Sequence, residues 1–323
     1  MTPTKNDIDI REGMLHRLGN LLDILLLDRT TKKNIIWATD SYEKYGKEFS
    51  QKKRISPELV TGIYRKLIQP RASKSREEQR RRTKDKAEVF TPLIVIDKIN
   101  KEIDKEGEYG RISKENWQNY VSELKLEITC GEAPFIASRY NPTSNTGKLI
   151  KLKNRVGFLD RKLKIVSRYS ENKEQWLFWA KETFKSSYGY EWQGDNVLLA
   201  RENLLYTFTD YYQDKFGRRP DLSIQEEFAE IISWNIFQMD GLKYVIPMSC
   251  HHESKVIPGK LTLFEDLPDT VEKYECEGCK YYRVSKHNGK YVKIMDWNSH
   301  KSLRFLDIRQ QDEINTVSEK KCC

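Results

Sequence analysis

Apolar residues in the first part of this chain recur at the three-and-four spacing of a helix. Leu18, Leu21, Leu22, Leu25 and Leu26 fall on one stripe, which buries one side of a helix and leaves the other in water. Residues 1–62 therefore read as helical. Pro57, capped by Ser56, opens a further helix through Leu59, Val60, Ile63 and Leu67, and Pro70 ends it. After Pro92 the pattern predicts a helix from Ile94 to Ile103, and then a polar, turn-rich stretch over 104–120. Leu124–Ile128 reads as a short strand that turns at Thr129-Cys130-Gly131. Residues 140–175 are basic and irregular and read as an insertion, while Trp176–Phe184 reads as a helix. Tyr188–Glu191 is a second strand, ending in an acid. Beyond Gly194, with Asp195 as cap, Val197, Ala200, Leu204, Phe208 and Tyr211 make the stripe of a longer helix. Another helix spans Ile224–Ile232, and Asn235–Asp240 is a third strand ending in an acid. The tail from residue 250 is polar, with strand-like pieces at Tyr291–Met295 and Leu303–Ile308.

Strands alternating with helices predict an α/β protein with a parallel sheet. Ligands of such sheets sit beyond the carboxyl ends of the strands, where Gly131, Glu191 and Asp240 fall. A glycine turn lets backbone N–H groups approach a ligand closely. An acid at the next strand end can accept two hydrogen bonds from ribose hydroxyls. A third acid can accept the exocyclic amine of an adenine ring. Each feature alone is more often a plain turn or a solvated cap; their order and spacing together describe a pocket for an adenosine-containing cofactor.

Charge adds a partner. The chain carries a formal net charge of +9, and it is clustered. Between Arg65 and Lys86 stand ten basic residues against three acidic ones. Arg71, Lys74, Arg76, Arg80, Arg81 and Arg82 are the candidate DNA contacts, because neutralising phosphates releases counterions; the plainer reading is a solubilising linker. No apolar run is long enough to span a membrane. Leu21–Leu27 lacks the cleavage site of a signal peptide, so a cytoplasmic location is expected and a membrane partner is not.

Several motifs then resemble one family in the right order. Val89-Phe90-Thr91-Pro92 looks like the Thr-Pro motif that opens the catalytic domain of N6-adenine DNA methyltransferases. Leu126-Glu127-Ile128-Thr129-Cys130-Gly131-Glu132-Ala133-Pro134-Phe135 resembles their cofactor loop. Tyr188-Gly189-Tyr190-Glu191 with Ala200-Arg201-Glu202-Asn203-Leu204-Leu205 is similar to their second motif, and Asn235–Leu242 to their third. The chain is also similar to the restriction endonuclease subunit M proteins of Gram-positive bacteria and their phages. The resemblance covers residues 85–247.

It implies a Rossmann-like sheet, incomplete in extent, that binds S-adenosylmethionine and passes its methyl group to N6 of adenine in DNA. Thr91 and Pro92 would flank the methionine end of the cofactor, with Glu127, Cys130 and Gly131 forming the loop around it. Glu191 would hold the ribose hydroxyls, and Asp240 the adenine amine. The implied division is a helical, basic region over 1–86, the cofactor domain over 87–248 and a small extension over 249–323.

Two departures weigh against activity. Ala133 stands where the loop has its second glycine, and Thr129 where it has a proline. The family's fourth motif, Asn or Asp followed by Pro-Pro and an aromatic, holds the flipped adenine and does not occur in the sequence. Asp296-Trp297 is the one acid–aromatic pair after Asp240 suited to that role. The stretch after Asp240 is short for the remaining strands and a recognition domain, so a specificity or restriction subunit is a candidate partner. The alternatives are a catalytically degenerate cofactor- and DNA-binding protein of regulatory, anti-restriction or scaffold type, and an RNA or small-molecule methyltransferase.

Six cysteines are scattered, and the Cys322–Cys323 pair reads as a tail. Cys276-Glu277-Gly278-Cys279 has the spacing of a zinc knuckle. Cys250, His251, His252 and His287 are the candidates for the remaining ligands of a structural zinc; a reduced turn is the plainer reading.

Overall fold

Three parallel strands organise the protein, seen in a computed structural model that describes residues 20–86, 88–106, 112–144, 147–258 and 269–308. Leu18, Cys322 and Cys323 lie outside the described residues. In chain order come α1 (Leu21–Leu26), β1 (Leu27–Asp28), β2 (Lys33–Asn34), α2 (Arg76–Lys86), α3 (Leu93–Glu106), α4 (Trp117–Ser122) and β3 (Lys125–Glu127). Then follow α5 (Phe158–Tyr169), α6 (Lys173–Lys185), β4 (Ser187–Glu191), α7 (Gly194–Phe216), α8 (Leu222–Asn235) and β5 (Ile236–Gln238). The extension holds β6 (Glu253–Ile257), β7 (Thr270–Tyr274), α9 (Glu277–Tyr281), β8 (Lys293–Asp296) and β9 (Lys301–Arg304).

The sheet order is β3-β4-β5, parallel throughout, with Leu126 opposite Tyr188 and Glu191 opposite Gln238. Successive residues of β4 point to opposite faces. Gly189 closes on Ile136 and Ile236, in the main core with the buried faces of α1 and α4–α8. Tyr190 points the other way, into a smaller core with Phe237, Met239, Tyr244, Ile246, Val292 and Leu306. The helices and the extension thus cover opposite sheet faces. β6–β7 and β8–β9 are antiparallel hairpins, and the first of these was not visible in the alternation of its sequence.

Five expectations need correction. Of the stretch to residue 62 read as helical, the described part holds one short α-helix, α1, followed by β1, β2 and 3₁₀ turns. The helix predicted from Pro57 to Leu67 is two 3₁₀ turns, Pro57–Leu59 and Gly62–Tyr64. Gly62 takes φ +55° at the head of the second turn, which no continuous right-handed helix accommodates, and Ile63 is exposed rather than striped inward. Within the supposed insertion lies α5, whose Phe158, Leu159, Leu163 and Val166 are buried; its Arg and Lys residues hid that stripe. Lys162 is buried with them and spends its ammonium on Ser186 Oγ at 2.8 Å. Asp195 is no cap: it lies inside the first turn of α7, fully buried, and ion-pairs with Arg82 at 2.7 Å. The basic stretch is no loose linker, since its second half is α2.

Candidate functional site

A cavity of about 790 Å³ opens at the tip of β3, between β4, the second half of α3 and the segment that precedes α3. Thr91, Glu127, Cys130, Gly131 and Glu191 line it, so five of the seven residues assigned to a cofactor come together. Trp192, Gln193, Asn196, Phe90 and Asn100 line it as well. The sequence reading missed these five; the first three follow directly from Glu191 into α7, and that phase was the available signal.

The loop after β3 is built from the backbone upward. Thr129, Gly131 and Ala133 adopt φ of +45°, +54° and +59°. Such a conformation costs a non-glycine residue about 1–2 kcal/mol. The alanine in the glycine position takes the left-handed conformation at that cost and is held in it, fully buried, by Ala133 N–H donating to Cys130 O at 2.7 Å. Gly131 has a second reason to lack a side chain: a Cβ there would lie 3.1 Å from the Phe90 ring.

Two buried carboxylates hold this loop. Glu127 accepts the backbone N–H groups of Phe135 at 3.3 Å and Ile136 at 3.0 Å. Glu191 accepts Gly131 N–H at 2.9 Å and Gln193 N–H at 3.1 Å. Burial pushes both carboxyls above their usual range, opposed by those backbone donors. Burial likewise raises the Cys130 thiol, which makes it a packed, inert group rather than a nucleophile.

The other assigned residues fall elsewhere. Pro92 is exposed at the head of α3, where its carbonyl accepts Val95 and Ile96 N–H; it starts the helix and does not line the cavity. Asp240 follows β5, whose tip meets that of β4 through Met239 N–H to Glu191 O at 3.0 Å. Its carboxylate turns back to accept Leu242 N–H at 3.0 Å and Lys243 N–H at 3.2 Å. It is not among the residues lining the cavity with Gly131 and Glu191. Asp296 and Trp297 line a different hollow of about 710 Å³, with Tyr188, Tyr190 and Phe305. The Asp296 carboxylate is taken by Ser299 and Asn298 N–H, and the Trp297 indole N–H by Asn235 Oδ1 at 2.9 Å.

The basic residues divide. Arg82 is buried and reaches Asp195 at 2.7 Å, Glu88 at 3.0 Å and the Tyr42 hydroxyl at 3.1 Å. Burial works against its charge, and Asp195, Tyr42 and Glu88 more than offset it. Lys74 is buried too, and burial lowers its pKa, with Arg82 adding to the effect. Arg71 is held by Glu88 O and Thr83 Oγ1 and stacks over Phe90. Arg76, Arg80 and Arg81, with Lys84, are exposed. Three of the six assigned residues are therefore turned into the protein, Arg82 joining α2 to α7 and Arg71 packing on the cavity wall beside Phe90, and three face solvent.

Away from the cavity, Cys250, Cys276, Cys279 and His287 form a cluster whose donor atoms all lie within 4.8 Å of one another and could hold a metal ion. Both cysteines of the predicted knuckle belong to it. His251 and His252 stay exposed outside it.

Fold and sites together define a mixed helix-and-sheet protein with a small parallel sheet, a carboxylate-floored cavity at its strand tips and a Cys₃His cluster in its extension. Among the described residues no helix is long and apolar enough to cross a membrane. Comparison with protein-family profiles, curated proteins and solved structures finds no match.

Proposed function

We propose that the chain binds S-adenosylmethionine in this cavity, on a Rossmann-like sheet, and serves as the cytoplasmic modification subunit of a restriction–modification system that methylates adenine N6 in DNA. The observation that carries the reading is the meeting of Gly131 and Glu191. A left-handed glycine loop after one parallel strand is tied to an acid ending the next, and both face a cavity large enough for a nucleoside.

The bound cofactor would supply an electrophilic methyl group. The residues of this chain supply position. Glu191, fixed by two backbone donors, has acceptor capacity left for vicinal sugar hydroxyls. The exposed face of α2, with Arg76, Arg80, Arg81 and Lys84, suits phosphates. A specificity or restriction subunit would complete base recognition.

A second reading is favoured by one specific fact: the sequence holds no Asn/Asp-Pro-Pro-aromatic tetrapeptide, and Asp296-Trp297 lines another hollow. On that reading the chain binds cofactor and DNA without turning over. Calorimetric titration with S-adenosylmethionine tests what the two share. Glu191→Ala removes charge-assisted hydrogen bonds worth about 1.5–3 kcal/mol, so affinity falls about 10–100-fold. A wild-type chain that binds no cofactor ends both readings. Transfer of tritiated methyl to adenine-containing DNA, with and without candidate subunits, separates them.

A further inference from the structure

We propose that Cys250, Cys276, Cys279 and His287 bind a single zinc ion, and that Lys243 is its outer-shell partner, so that the ion clamps the extension onto the turn that ends β5. The inference stands whether or not the cavity takes a nucleoside.

The donor set comes first. Three thiols and one imidazole are the ligands of closed, tetrahedral zinc sites. The spacing agrees. Zn–S of about 2.3 Å and Zn–N of about 2.0–2.1 Å at the tetrahedral angle put sulfur and nitrogen about 3.5–3.6 Å apart. His287 Nδ1 lies 3.6 Å from Cys250 Sγ and 3.7 Å from both Cys276 Sγ and Cys279 Sγ. Three sulfurs, two from the knuckle and one from Cys250, thus surround one nitrogen at the distance a shared ion requires.

The backbone around the cluster is cut to fit. A Cβ on Gly278 would lie 2.6 Å from His287 Nδ1, and one on Gly289 would lie 2.9 Å from Cys250 Sγ. Both glycines leave the room that the ligands occupy. Asn288 N–H donates to Cys276 Sγ at 3.3 Å, a bond that favours the thiolate over the thiol.

Charge supplies the last step. Three thiolates around a divalent ion leave one net negative charge. Lys243 Nζ sits 3.4 Å from Cys279 Sγ and cancels it, as outer-shell groups do at metal centres. Lys243 belongs to the turn capped by Asp240, while the ligands come from before β6, from the head of α9 and from before β8. The ion would therefore link β5 to segments that meet it in the small cluster around Tyr190 and Val292.

The test uses the full chain purified without chelator. Elemental analysis is expected to give one zinc per chain. Replacement by cobalt is expected to give the visible bands of a tetrahedral thiolate site. Cys276→Ser and His287→Ala are expected to lose the metal, with hydrogen exchange rising in the extension while α7 stays protected. Lys243→Met, which leaves all four ligands in place, is expected to bind zinc about 10–100-fold more weakly against a competing chelator. A metal-free chain that takes up neither zinc nor cobalt under reducing conditions overturns the site, as does full zinc in Cys276→Ser. A Lys243→Met variant with unchanged affinity overturns the role given to Lys243.

Discussion

Replacing Arg82 by alanine separates two views of the basic segment, because a DNA-contacting arginine and a core arginine fail differently. In the native chain its guanidinium faces Asp195 at 2.7 Å and Glu88 at 3.0 Å, with both carboxylates almost wholly shielded from water. Removing one partner of a buried pair leaves the other charge uncompensated and costs about 3–5 kcal/mol. Some relief remains: Tyr42 still donates to Asp195 at 2.6 Å, and Asn196 to Glu88 at 3.2 Å. The lower end, about 3 kcal/mol, is therefore the expected loss. Arg80, two positions away and exposed, is expected to cost under about 0.5 kcal/mol on the same substitution. Urea unfolding of the two variants reads this directly. DNA titrations across salt concentrations complete it: Arg80→Ala should lower the slope of log affinity against log salt by about 0.9, the value of one lost phosphate contact. An Arg82→Ala variant less than about 1 kcal/mol below wild type would refute the buried network as a staple.

Three further outcomes follow from the loop and its carboxylates. Gly131→Ala is expected to destabilise by about 1–2 kcal/mol, from its φ of +54° and the approach to Phe90. Ala133→Gly should be near neutral in thermal unfolding, since relief of φ +59° at about 1 kcal/mol offsets a lost buried methyl of about 0.8 kcal/mol. Glu127 gives a pH signature. Burial raises its folded pKa above the ordinary 4.5, so the native state holds that proton more tightly than the unfolded chain does. The penalty is complete above the raised pKa and is relieved as pH falls through it towards 4.5. Denaturation of wild type and Glu127→Gln at several pH values should show wild type gaining on the variant upon acidification. The gain is about 1.4 kcal/mol for each factor of ten by which the folded chain binds that proton more tightly; a gap independent of pH would contradict the assignment.

The legible part of this fold was the part where one residue pattern meets one environment. β3, β4 and β5 were visible as short apolar runs ending in a turn or an acid, and α7 as an unbroken stripe from Val197 to Tyr211. α5 was hidden because Lys162 and Asp160 are buried charges whose partners, Ser186 and Ser138, lie far away in sequence. Composition cannot separate such residues from solvated ones. The basic segment misled for the same reason, since Arg81 and Arg82 are adjacent letters with opposite fates. At the cavity, Glu191 and Gly131 could be placed from strand order, whereas the inward turn of the Asp240 carboxylate depends on the local backbone after β5. At the cysteine cluster the knuckle was readable from spacing, but choosing Cys250 and His287 over His251 and His252 required three dimensions.

The open edge of β3 bears on how methyl transfer would have to work. The chain order β3-β4-β5 grows away from β3 in one direction, and among the described residues no strand pairs with its outer side. Leu124, Leu126 and Ile128 are exposed along it. In doubly wound sheets the ligand crevice lies where strand order reverses, between the first strand and the half-sheet on its far side. The cavity with Thr91 and Glu191 borders this edge, while Asp296 and Trp297 line a hollow that also borders β3 but lacks Thr91, Gly131 and Glu191. A group that orients an acceptor amine towards a methyl carbon must hold the reacting nitrogen and carbon about 3–3.5 Å apart in a near-attack arrangement. Asp296 is engaged with Ser299 at 2.6 Å and lies outside the cavity proposed for the cofactor. Asp296→Ala should therefore leave S-adenosylmethionine affinity unchanged, and any methyl transfer seen with a partner subunit should survive it. Loss of transfer in that variant, with cofactor binding intact, would instead make Asp296 part of the reaction and require the two hollows to join when DNA binds.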